Sequence, residues 1–514
     1  MLATIRSAAV IGIEAYDVAV EVDCAQGLPQ FTVVGLAAGA VKESRERVSA
    51  ALVNSGFALP PRRTTVNLAP ADRRKEGSGF DLPIALGLLA ATGQLDADRV
   101  RRVAAVGELA LDGAIRPVRG VLSVAQLVAR DDECTLIVPP ANVREAQLVS
   151  GARIAAPASL RDLVVQLRDE QLEIPPPAPN GRQPEEEVPD LRDVIGQETA
   201  KRALEIAAAG DHGLIFVGPP GAGKTLLARC MPGLLPALTE SEALEVIAIH
   251  SVAGLLSADR SLTPARPFRA PHHTISTAGL VGGGSPPRPG EVSLAHSGVL
   301  FLDEMLEFPR HTLDAMRQPL EDGQVIIARA AASVRLPARF TLVGAMNPCP
   351  CGRAGDPAGR CVCAAADIVR YRARLSGPLV DRIDLHVPVK AVPVRQLAGR
   401  AERESSADGR ARVERARARQ RERFAASSIT PTNGRAPPRV VRAAATVDAD
   451  ARELLADAAE RFGLSARAYH RVLRVARTIA DLADEDRTRA AHVAEALRFR
   501  AINQRDGEEI ALNS

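Results

Sequence analysis

A glycine-rich stretch near the middle of the chain carries the residue types that bind a nucleotide. An apolar run precedes it and a helical pattern follows it, which is the strand–loop–helix context of a phosphate-binding loop. The loop fits G-x-x-x-x-G-K-[ST] and consists of Gly218, Pro219, Pro220, Gly221, Ala222, Gly223, Lys224 and Thr225. Its backbone N–H groups would hold the phosphates, Lys224 would reach the β- and γ-phosphates, and Thr225 would hold Mg²⁺. The stretch predicts a site for Mg-ATP, with a chance glycine turn as the alternative.

Two acids further along the chain supply the groups that hydrolysis needs. Asp303 and Glu304 close an apolar strand that ends in Gly298-Val299-Leu300-Phe301-Leu302. Asp303 would belong to the Mg²⁺ shell, and Glu304 would polarise the attacking water. Buried strands often end in acids, but a phosphate loop earlier in the same domain favours the hydrolytic role.

Four cysteines follow the pattern C-x-C, nine residues, C-x-C. They are Cys349, Cys351, Cys361 and Cys363. Four thiolates in fifteen residues suit a tetrahedral Zn²⁺, although the one-residue spacing is tighter than usual and leaves free thiols as the alternative. Arg353 and Arg360 lie in the turn-rich segment between the pairs, where they are candidate contacts for nucleic acid.

Length and composition limit the class of protein. The chain has 514 residues, which is too long for one core, so two to four domains are expected. Its formal net charge of +3 is too small to indicate a nucleic-acid partner by itself. No apolar run approaches about 18 residues, so no membrane span is expected. The first residues lack a signal-peptide pattern, and the clustered cysteines favour a reducing cytoplasm.

The pattern of hydrophobic residues divides the chain into four parts. Residues 1–170 read as an α/β domain, with strands at 16–23, 31–36 and 64–68 and helices at 40–56 and 83–89. Residues 171–189 are rich in Pro and Glu and read as an exposed linker. Residues 190–395 contain the phosphate loop in an α/β core, and residues 396–514 read as a helical lid.

The order of elements in residues 1–170 resembles the proteolytic domain of Lon-type proteases. That resemblance places the nucleophile at Gly79, one residue after Ser78, and the partner lysine at Leu122. With neither catalytic residue present, peptide hydrolysis is not expected. The domain is therefore predicted to be Lon-like in fold and non-proteolytic.

The motifs after residue 190 are similar, as a set, to the Mg-chelatase-like AAA+ ATPase family and to its competence-protein branch. They include Gly196-Gln197 before the first helix, Asn347 after a third apolar strand, and Ser376 to Leu385. The resemblance implies that Asn347 positions the attacking water and that Arg382 is offered to the γ-phosphate of a neighbouring subunit. Taken alone, Asn347 would be a turn residue before Pro348 and Arg382 a surface ion pair. It also implies a lid arginine at the γ-phosphate, for which Arg467 is favoured and Arg471 and Arg474 are alternatives; a solvated basic face is the other interpretation.

By resemblance to helicase rings, whose hairpins at this site project into a central pore, two insertions carry candidate substrate contacts, and a separate helix is locally basic. Residues 266–289 contain His272 and His273 and are too rich in Pro and Gly to predict regular structure, and a surface loop is the alternative for both histidines. Residues 321–336 read as a hairpin with Arg329 near its tip. Residues 400–423 carry nine Arg against five acids and predict a basic helix, either a solvated face or a surface that follows phosphates.

The family resemblance implies an ATP-driven hexameric DNA helicase that promotes branch migration, as in natural transformation. Its cofactors would be ATP and Mg²⁺, its partners single-stranded and branched DNA, and its assembly a homo-hexamer. A chelatase-type motor subunit acting on a metal-chelation partner is the alternative function. An ATP-dependent protease is a third possibility, which the missing nucleophile and lysine disfavour.

Overall fold

The structure is a computed structural model. It describes residues 1–36, 38–176, 188–256, 265–284, 287–329, 332–355, 360–392, 403–425, 432–437, 439–441 and 446–500. Two large sheets organise this part of the chain, one before and one after residue 190. Most of the linker predicted at 171–189 and the residues after 500 lie outside the described residues.

The first sheet has seven strands in the order β3-β4-β2-β1-β5-β8-β9. The strands of this half of the chain are β1 Leu2–Ile11, β2 Glu14–Ala25, β3 Gln30–Val34, β4 Arg63–Ala69, β5 Val103–Ala105, β6 Glu108–Leu109, β7 Ile115–Arg116, β8 Thr135–Ile137 and β9 Arg153–Ala155. Its α-helices are α1 Gly39–Lys42, α2 Ser44–Asn54, α3 Asp81–Ala91, α4 Val121–Val128, α5 Val143–Ala146 and α6 Leu160–Arg168. The alternation of Val18, Val20 and Val22 in β2 puts three fully buried side chains on one face, where α3 covers them.

The strands and helices predicted in this half are present. Which strands lie beside one another is determined by contacts between residues far apart in the chain. The predicted helix at 40–56 is divided into α1 and α2. Although a turn at Gly27–Pro29 separates β2 from β3, β3 pairs in parallel with β4, and β4 lies between them. The long β1, whose ten residues pair with β2, has no counterpart in the sequence-based prediction.

The second sheet is parallel, with five strands in the order β11-β14-β17-β10-β18. The strands of this half are β10 Leu214–Val217, β11 Phe268–Arg269, β12 Gly282–Gly283, β13 Arg288–Pro289, β14 Val299–Leu302, β15 Gln324–Arg329, β16 Ala332–Pro337, β17 Thr341–Met346, β18 Leu385–Pro388, β19 Thr446–Val447 and β20 Arg487–Thr488. The α-helices up to β18 are α7 Glu198–Gly210, α8 Lys224–Leu234, α9 Glu240–Ala253, α10 Thr277–Val281, α11 Glu291–Leu294, α12 Arg310–Asp314, α13 Arg317–Asp322, α14 Ala365–Arg372 and α15 Gly377–Val380. The central strands are buried on both faces, which explains their continuous apolar sequences.

The parallel arrangement brings the predicted nucleotide residues to one edge. Because β10, β14 and β17 run in the same direction, the residues that follow them leave at the same side of the sheet. These residues are Gly218 after β10, Asp303 after β14 and Asn347 after β17.

The insertions contain more regular structure than the sequence predicted. The hairpin expected at 321–336 is confirmed as β15 and β16, paired from Gln324 to Pro337. The expectation that 266–289 lacks regular structure is wrong in part, because this segment contains β11, α10 and the β12–β13 pair. Gly282 and Gly283 form strand β12, which pairs with β13, rather than an irregular loop.

Four helices of at least nine residues follow β18 in the described part of the chain: α16 Ser406–Arg423, α17 Ala449–Phe462, α18 Ala466–Leu482 and α19 Ala490–Arg498. They pack on α7 and α8 beside the second sheet. No helix among the described residues is long and apolar enough to cross a membrane.

Within the described residues, the N-terminal half of the chain contacts the β15–β16 hairpin and α9 of the second half. The turn between β1 and β2 meets the hairpin, where a Cβ on Gly12 would lie 2.8 Å from a methyl of Val334. Ser251 of α9 accepts from the Gly120 N–H and donates to the buried Glu145 carboxylate at 2.8 Å. The N-terminal half therefore touches both the hairpin and a helix of the second half.

Candidate nucleotide site

The phosphate loop has the backbone geometry that its glycines predict. Gly221 and Gly223 have φ of +76° and +88°, in the left-handed region, and Gly223 is the residue that starts α8. A Cβ on Gly218 would lie 2.1 Å from the Val389 carbonyl oxygen, so this position accepts only glycine. The loop thus turns directly into a helix N-terminus, where exposed N–H groups and the helix dipole favour an anion.

Lys224 connects the loop to Asn347 on the neighbouring strand. Its ammonium donates to the carbonyl oxygens of Gly218 (2.6 Å) and Pro219 (2.9 Å) and to Asn347 Oδ1 (3.1 Å). Burial lowers the pKa of Lys224, and the charges of Asp303 and Glu304 partly oppose this effect. A γ-phosphate bound beside Asn347 would accept the hydrogen bonds that the Lys224 ammonium now donates within the chain.

The two predicted metal-binding oxygens are adjacent. Thr225 Oγ1 donates to Asp303 Oδ2 at 2.8 Å, which places a hydroxyl and a carboxylate where both could reach one Mg²⁺. Glu304 has a left-handed backbone with φ of 48°, and its N–H donates to Asp303 Oδ1. Its side chain is 59% exposed at the rim of the site, with room for a water. These residues could together bind Mg-ATP and orient a nucleophile.

Arg382 is not a free side chain. Its guanidinium is paired with Glu321 and donates to the Pro378 carbonyl oxygen at 2.6 Å. Sequence reasoning missed Glu321, which lies in α13 some 60 positions before Arg382. The acidic residue at the start of the predicted hairpin was the available signal.

The three lid arginines have different surroundings. Arg471 donates to Asp384 Oδ1 at 2.5 Å and to the Arg382 carbonyl oxygen at 2.9 Å. Arg474 is half-buried and donates to the Gly434 carbonyl oxygen. Arg467 is exposed in the first turn of α18 and has no hydrogen bond or ion pair within the described part of the chain. Of the three, only Arg467 has a guanidinium that makes no bond within the described residues.

A buried polar cluster lies behind the Arg382 segment and was not predicted from the sequence. Asp384 binds Arg471 and also His212 at 2.8 Å, and His212 contacts Thr478 Oγ1 at 2.8 Å. Burial would raise the pKa of Asp384, but the charge of Arg471 and the bond to His212 hold it well below its usual range. The cluster joins β10, the Arg382 segment and the lid helix α18.

The four cysteines converge as the spacing predicted. Their sulfur atoms all lie within 4.8 Å of one another, and three of the Sγ–Sγ separations are 3.4, 3.6 and 3.8 Å. Tetrahedral Zn²⁺ with bonds of about 2.3 Å requires sulfurs about 3.8 Å apart, so this donor set fits the metal. Backbone N–H groups of Val362 and Arg353 lower the pKa of the Cys351 thiol to about 6.

This cysteine knuckle, residues 349–363, touches the phosphate loop. Cys349 follows Asn347 by two residues. A Cβ on Gly352 would lie 2.6 Å from Pro220 Cδ and 3.8 Å from the Asn347 side chain. A displacement of Gly352 in the knuckle would therefore shift Pro220 and the Asn347 side chain, two groups of the candidate nucleotide site.

The candidate DNA contacts lie on different elements of the structure. Arg353 and Arg360 are exposed on the knuckle. Arg329 pairs with Ala332 at the end of β15, and its side chain lies outside the described residues. His272 is exposed, whereas His273 is half-buried with Nδ1 3.8 Å from Glu304 Oε2. Sequence reasoning did not associate His273 with Glu304.

The arginine-rich helix α16 is mostly engaged within the chain. Five of its seven arginines bond to groups of this chain: Arg410, Arg412, Arg417, Arg419 and Arg423. Arg410 and Arg417 donate to the carbonyl oxygens of Gly233 and Ala208 near the ends of α8 and α7, a favourable position for a cation. Arg415 and Arg421 are exposed and Arg400 lies outside the described residues, so the solvated face and the surface that follows phosphates both remain predictions for 400–423.

Ser78, one residue before the Lon-type nucleophile position, and Leu122, at the lysine position, have structural partners. Ser78 donates to Glu108, and Leu122 is fully buried against Ile247 and Ala248 of α9. The position of the protease lysine is thus part of the contact between the two halves of the chain.

Three family profiles match successive parts of the chain. The profile described as subunit ChlI of Mg-chelatase matches residues 20–142, magnesium chelatase subunit ChlI matches 190–397, and the ChlI C-terminal profile matches 403–500. The competence protein ComM of Haemophilus influenzae is 46% identical over 509 residues, which cover 98% of both chains. The protein YifB of Escherichia coli is 43% identical over 505 residues, again 98% of both. The magnesium-chelatase 38 kDa subunit of Rhodobacter capsulatus is 30% identical over 172 residues, which cover 30% of this chain and 49% of that protein.

Proposed function

Because the chain belongs to the magnesium-chelatase-like AAA+ family, in the branch of ComM and YifB, we propose that it is an ATP-driven hexameric DNA helicase. In this proposal it promotes branch migration of recombination intermediates, as in natural transformation. It acts on single-stranded and branched DNA. ATP and Mg²⁺ are its cofactors.

One observation supports ATP hydrolysis most strongly. The contacts of Lys224 with Asn347 and of Thr225 with Asp303 bring a phosphate-binding ammonium, a metal-binding pair and a water-positioning amide to one edge of the sheet. Glu304 follows Asp303 directly and is the proposed base that polarises water. Arg382 is the proposed group for the neighbour's γ-phosphate, and Arg467 is the proposed lid contact.

Two observations favour DNA as the substrate. The relative named as a competence protein aligns over 98% of the chain, whereas the chelatase subunit aligns over 30%. The β15–β16 hairpin and the arginines of the knuckle offer contacts to a polyanion. The chelatase-type motor remains the alternative function.

We also propose that the cysteine knuckle holds one Zn²⁺, since four sulfurs at the separations of a tetrahedral site are unusual for free thiols. The metal would have a structural role, keeping residues 349–363 folded beside Pro220.

ATP turnover of the purified protein, with and without a single strand or a four-way DNA junction, tests the proposal. We expect turnover that DNA stimulates, junction migration that requires ATP, and loss of both in Lys224→Ala. If neither DNA binds to the protein and neither stimulates its ATP turnover, the helicase proposal is contradicted and the chelatase-type motor is favoured. Peptide release from a denatured protein substrate would instead favour the protease.

A further inference from the structure

We infer that an apolar surface beside the ATP site, formed by Val362, Ala366 and Val369, docks on a second copy of this chain. The inference rests on the proposed function, because it names the partner that the cysteine knuckle meets within the proposed ring. It gives the knuckle a role in assembly in addition to the structural role of its metal.

Helix α14 buries very little of its own surface within the described part of the chain. Of its eight residues, Ala365–Arg372, Tyr371 is the buried one and Ile368 is intermediate. Because successive residues of a helix are about 100° apart, Ala366 and Val369 lie on the face opposite Tyr371. Ala366 is exposed, and Val369 is 55% exposed. A helix of two turns is marginal in water unless its apolar face is packed, so this face indicates a partner outside the described residues.

The end of the cysteine knuckle adds a second exposed valine. Val362 is 88% exposed and precedes the first residue of α14 by three positions. It lies between Cys361 and Cys363, two of the four sulfur donors that converge. A metal bound on both sides of Val362 would fix its backbone, so the knuckle presents this side chain outward rather than burying it. Exposed apolar side chains that lie together are typical of interaction surfaces.

The attachments of α14 place it at the edge of the ATP site. Arg372 Nε donates at 3.2 Å to the carbonyl oxygen of Pro348, which lies just after β17. Tyr371 belongs to the same apolar cluster as Met305, the residue that follows Glu304 after β14. The C-terminal end of α14 is therefore fixed to the two segments that carry the predicted hydrolytic residues, while its opposite face is exposed.

A second copy is the partner that this position favours. The ATP site is proposed to receive Arg382 from a neighbouring copy, which has to approach the edge of the sheet that carries Glu304 and Asn347. Helix α14 and the knuckle lie beside this edge, since Gly352 of the knuckle contacts Pro220 of the phosphate loop. A neighbour that delivers Arg382 here would cover the exposed valines. DNA fits this surface less well, because valine and alanine side chains offer no donor to a phosphate.

The test compares Val369→Asp and Val362→Asp with the matched control Val53→Asp in the full-length protein. Val53 is 57% exposed on α2 of the N-terminal half, much as Val369 is on α14. Sedimentation velocity with Mg²⁺ and a non-hydrolysable ATP analogue measures assembly over a range of protein concentrations. We expect both surface variants to need at least about tenfold more protein for half-assembly, because assembly would bury an unpaired carboxylate. Val53→Asp should assemble as the unaltered protein does.

ATP turnover measures the same contact in a second way. Because a neighbour supplies Arg382, turnover per chain of Val369→Asp should be low in dilute protein and should recover as the protein concentration is raised. Turnover of Val369→Asp that stays low at every concentration, with unaltered assembly, would mean damage within one chain and would overturn the inference.

The remaining outcomes distinguish the inference from the proposed function. Assembly and turnover of both surface variants that match the unaltered protein would overturn the inference. Unaltered assembly with weaker binding of single-stranded DNA would also overturn it and would assign the surface to DNA. If the unaltered protein assembles but DNA does not stimulate it, the helicase proposal fails, and the assembly of the variants still decides the inference. An unaltered protein that stays monomeric with nucleotide at every concentration would overturn both.

Discussion

The guanidinium of Arg382 is paired with the carboxylate of Glu321, and only 12% of the Arg382 side chain is exposed. Glu321 lies in α13, three residues before the hairpin begins at Gln324. An arginine that reaches a neighbour's γ-phosphate must exchange this carboxylate for the phosphate. The pair therefore ties the proposed intersubunit contact to the base of the hairpin.

Mixing two inactive variants tests whether Arg382 acts on a neighbour. We expect Arg382→Ala and Lys224→Ala each to lose about 10³-fold or more in ATP turnover. In a ring assembled from both, a Lys224→Ala subunit supplies Arg382 to a site that still has Lys224. Turnover should return at about one interface in four under random mixing.

The control for this experiment is Arg370→Ala, because Arg370 is an exposed arginine of α14 whose ion pair in the described residues is with Asp367. Arg370→Ala should keep full turnover when assayed alone. If the mixture of Arg382→Ala and Lys224→Ala stays inactive, Arg382 acts within its own subunit, and its pairing with Glu321 is structural.

Loss of the metal is expected to weaken the nucleotide site. Cys361→Ser removes one of four sulfurs, so zinc content should fall from about one per chain to a small fraction of that. Because Gly352 contacts Pro220 and the knuckle begins two residues after Asn347, kcat should fall several-fold as well. Elemental analysis and ATP turnover of the same preparation give both values.

Cys24→Ser is the matched control, since Cys24 is buried in β2 of the first sheet. It should retain both zinc and turnover. Absence of zinc from the freshly reduced, unaltered protein would contradict the metal proposal. Full turnover in zinc-free Cys361→Ser would contradict the coupling between the knuckle and the phosphate loop.

Local patterns in the sequence were sufficient for the strands and turns that form the ATP site. Strand β10 has the predicted bounds, and Asp303 and Asn347 follow their strands as expected. This succeeded because a buried parallel strand has a continuous apolar sequence, and because the glycines of the loop are required by its backbone geometry.

Contacts between distant residues could not be predicted in the same way. Glu321 and Arg382 are ordinary charged residues in the sequence, and nothing local indicates that they pair. The arginines of α16 read as a basic surface, but Arg410 and Arg417 donate to carbonyl groups near the ends of α8 and α7, which nothing local in the sequence indicates. The approach of His273 Nδ1 to within 3.8 Å of Glu304 Oε2 is likewise not indicated by anything local in the sequence.

The buried Asp384 should make the protein sensitive to acid. Its pKa in the folded protein is below the ordinary value of about 3.9, so its stabilising effect is complete above about pH 5 and is lost as the pH falls. Asp384→Asn removes the charge that Arg471 and His212 face, and should lower the free energy of unfolding at pH 7 by about 3 kcal/mol. Urea unfolding between pH 7 and pH 3 measures this.

The variant should also lose less stability than the unaltered protein as the pH falls from 5 to 3. Asp450→Asn, at an exposed position in α17, should show the unaltered dependence. Identical pH profiles for Asp384→Asn and the unaltered protein would show that another carboxylate carries the acid sensitivity.

Arg467 and Arg471 should separate catalysis from stability. Arg471 neutralises the buried Asp384, so Arg471→Ala leaves that carboxylate with only its bond to His212 in the described residues and should cost about 3 kcal/mol in unfolding free energy. Arg467 is exposed without a partner in the described residues, so Arg467→Ala should change stability by less than about 0.5 kcal/mol. If Arg467 is the lid contact to the γ-phosphate, the same variant should lower kcat at least about tenfold. Arg452→Ala is the control for both measurements, because Arg452 is also an exposed arginine but lies in α17. A stable Arg467→Ala protein with full turnover would mean that a different residue provides the lid contact, and Arg471 or Arg474 would have to exchange its bond within the chain for the phosphate.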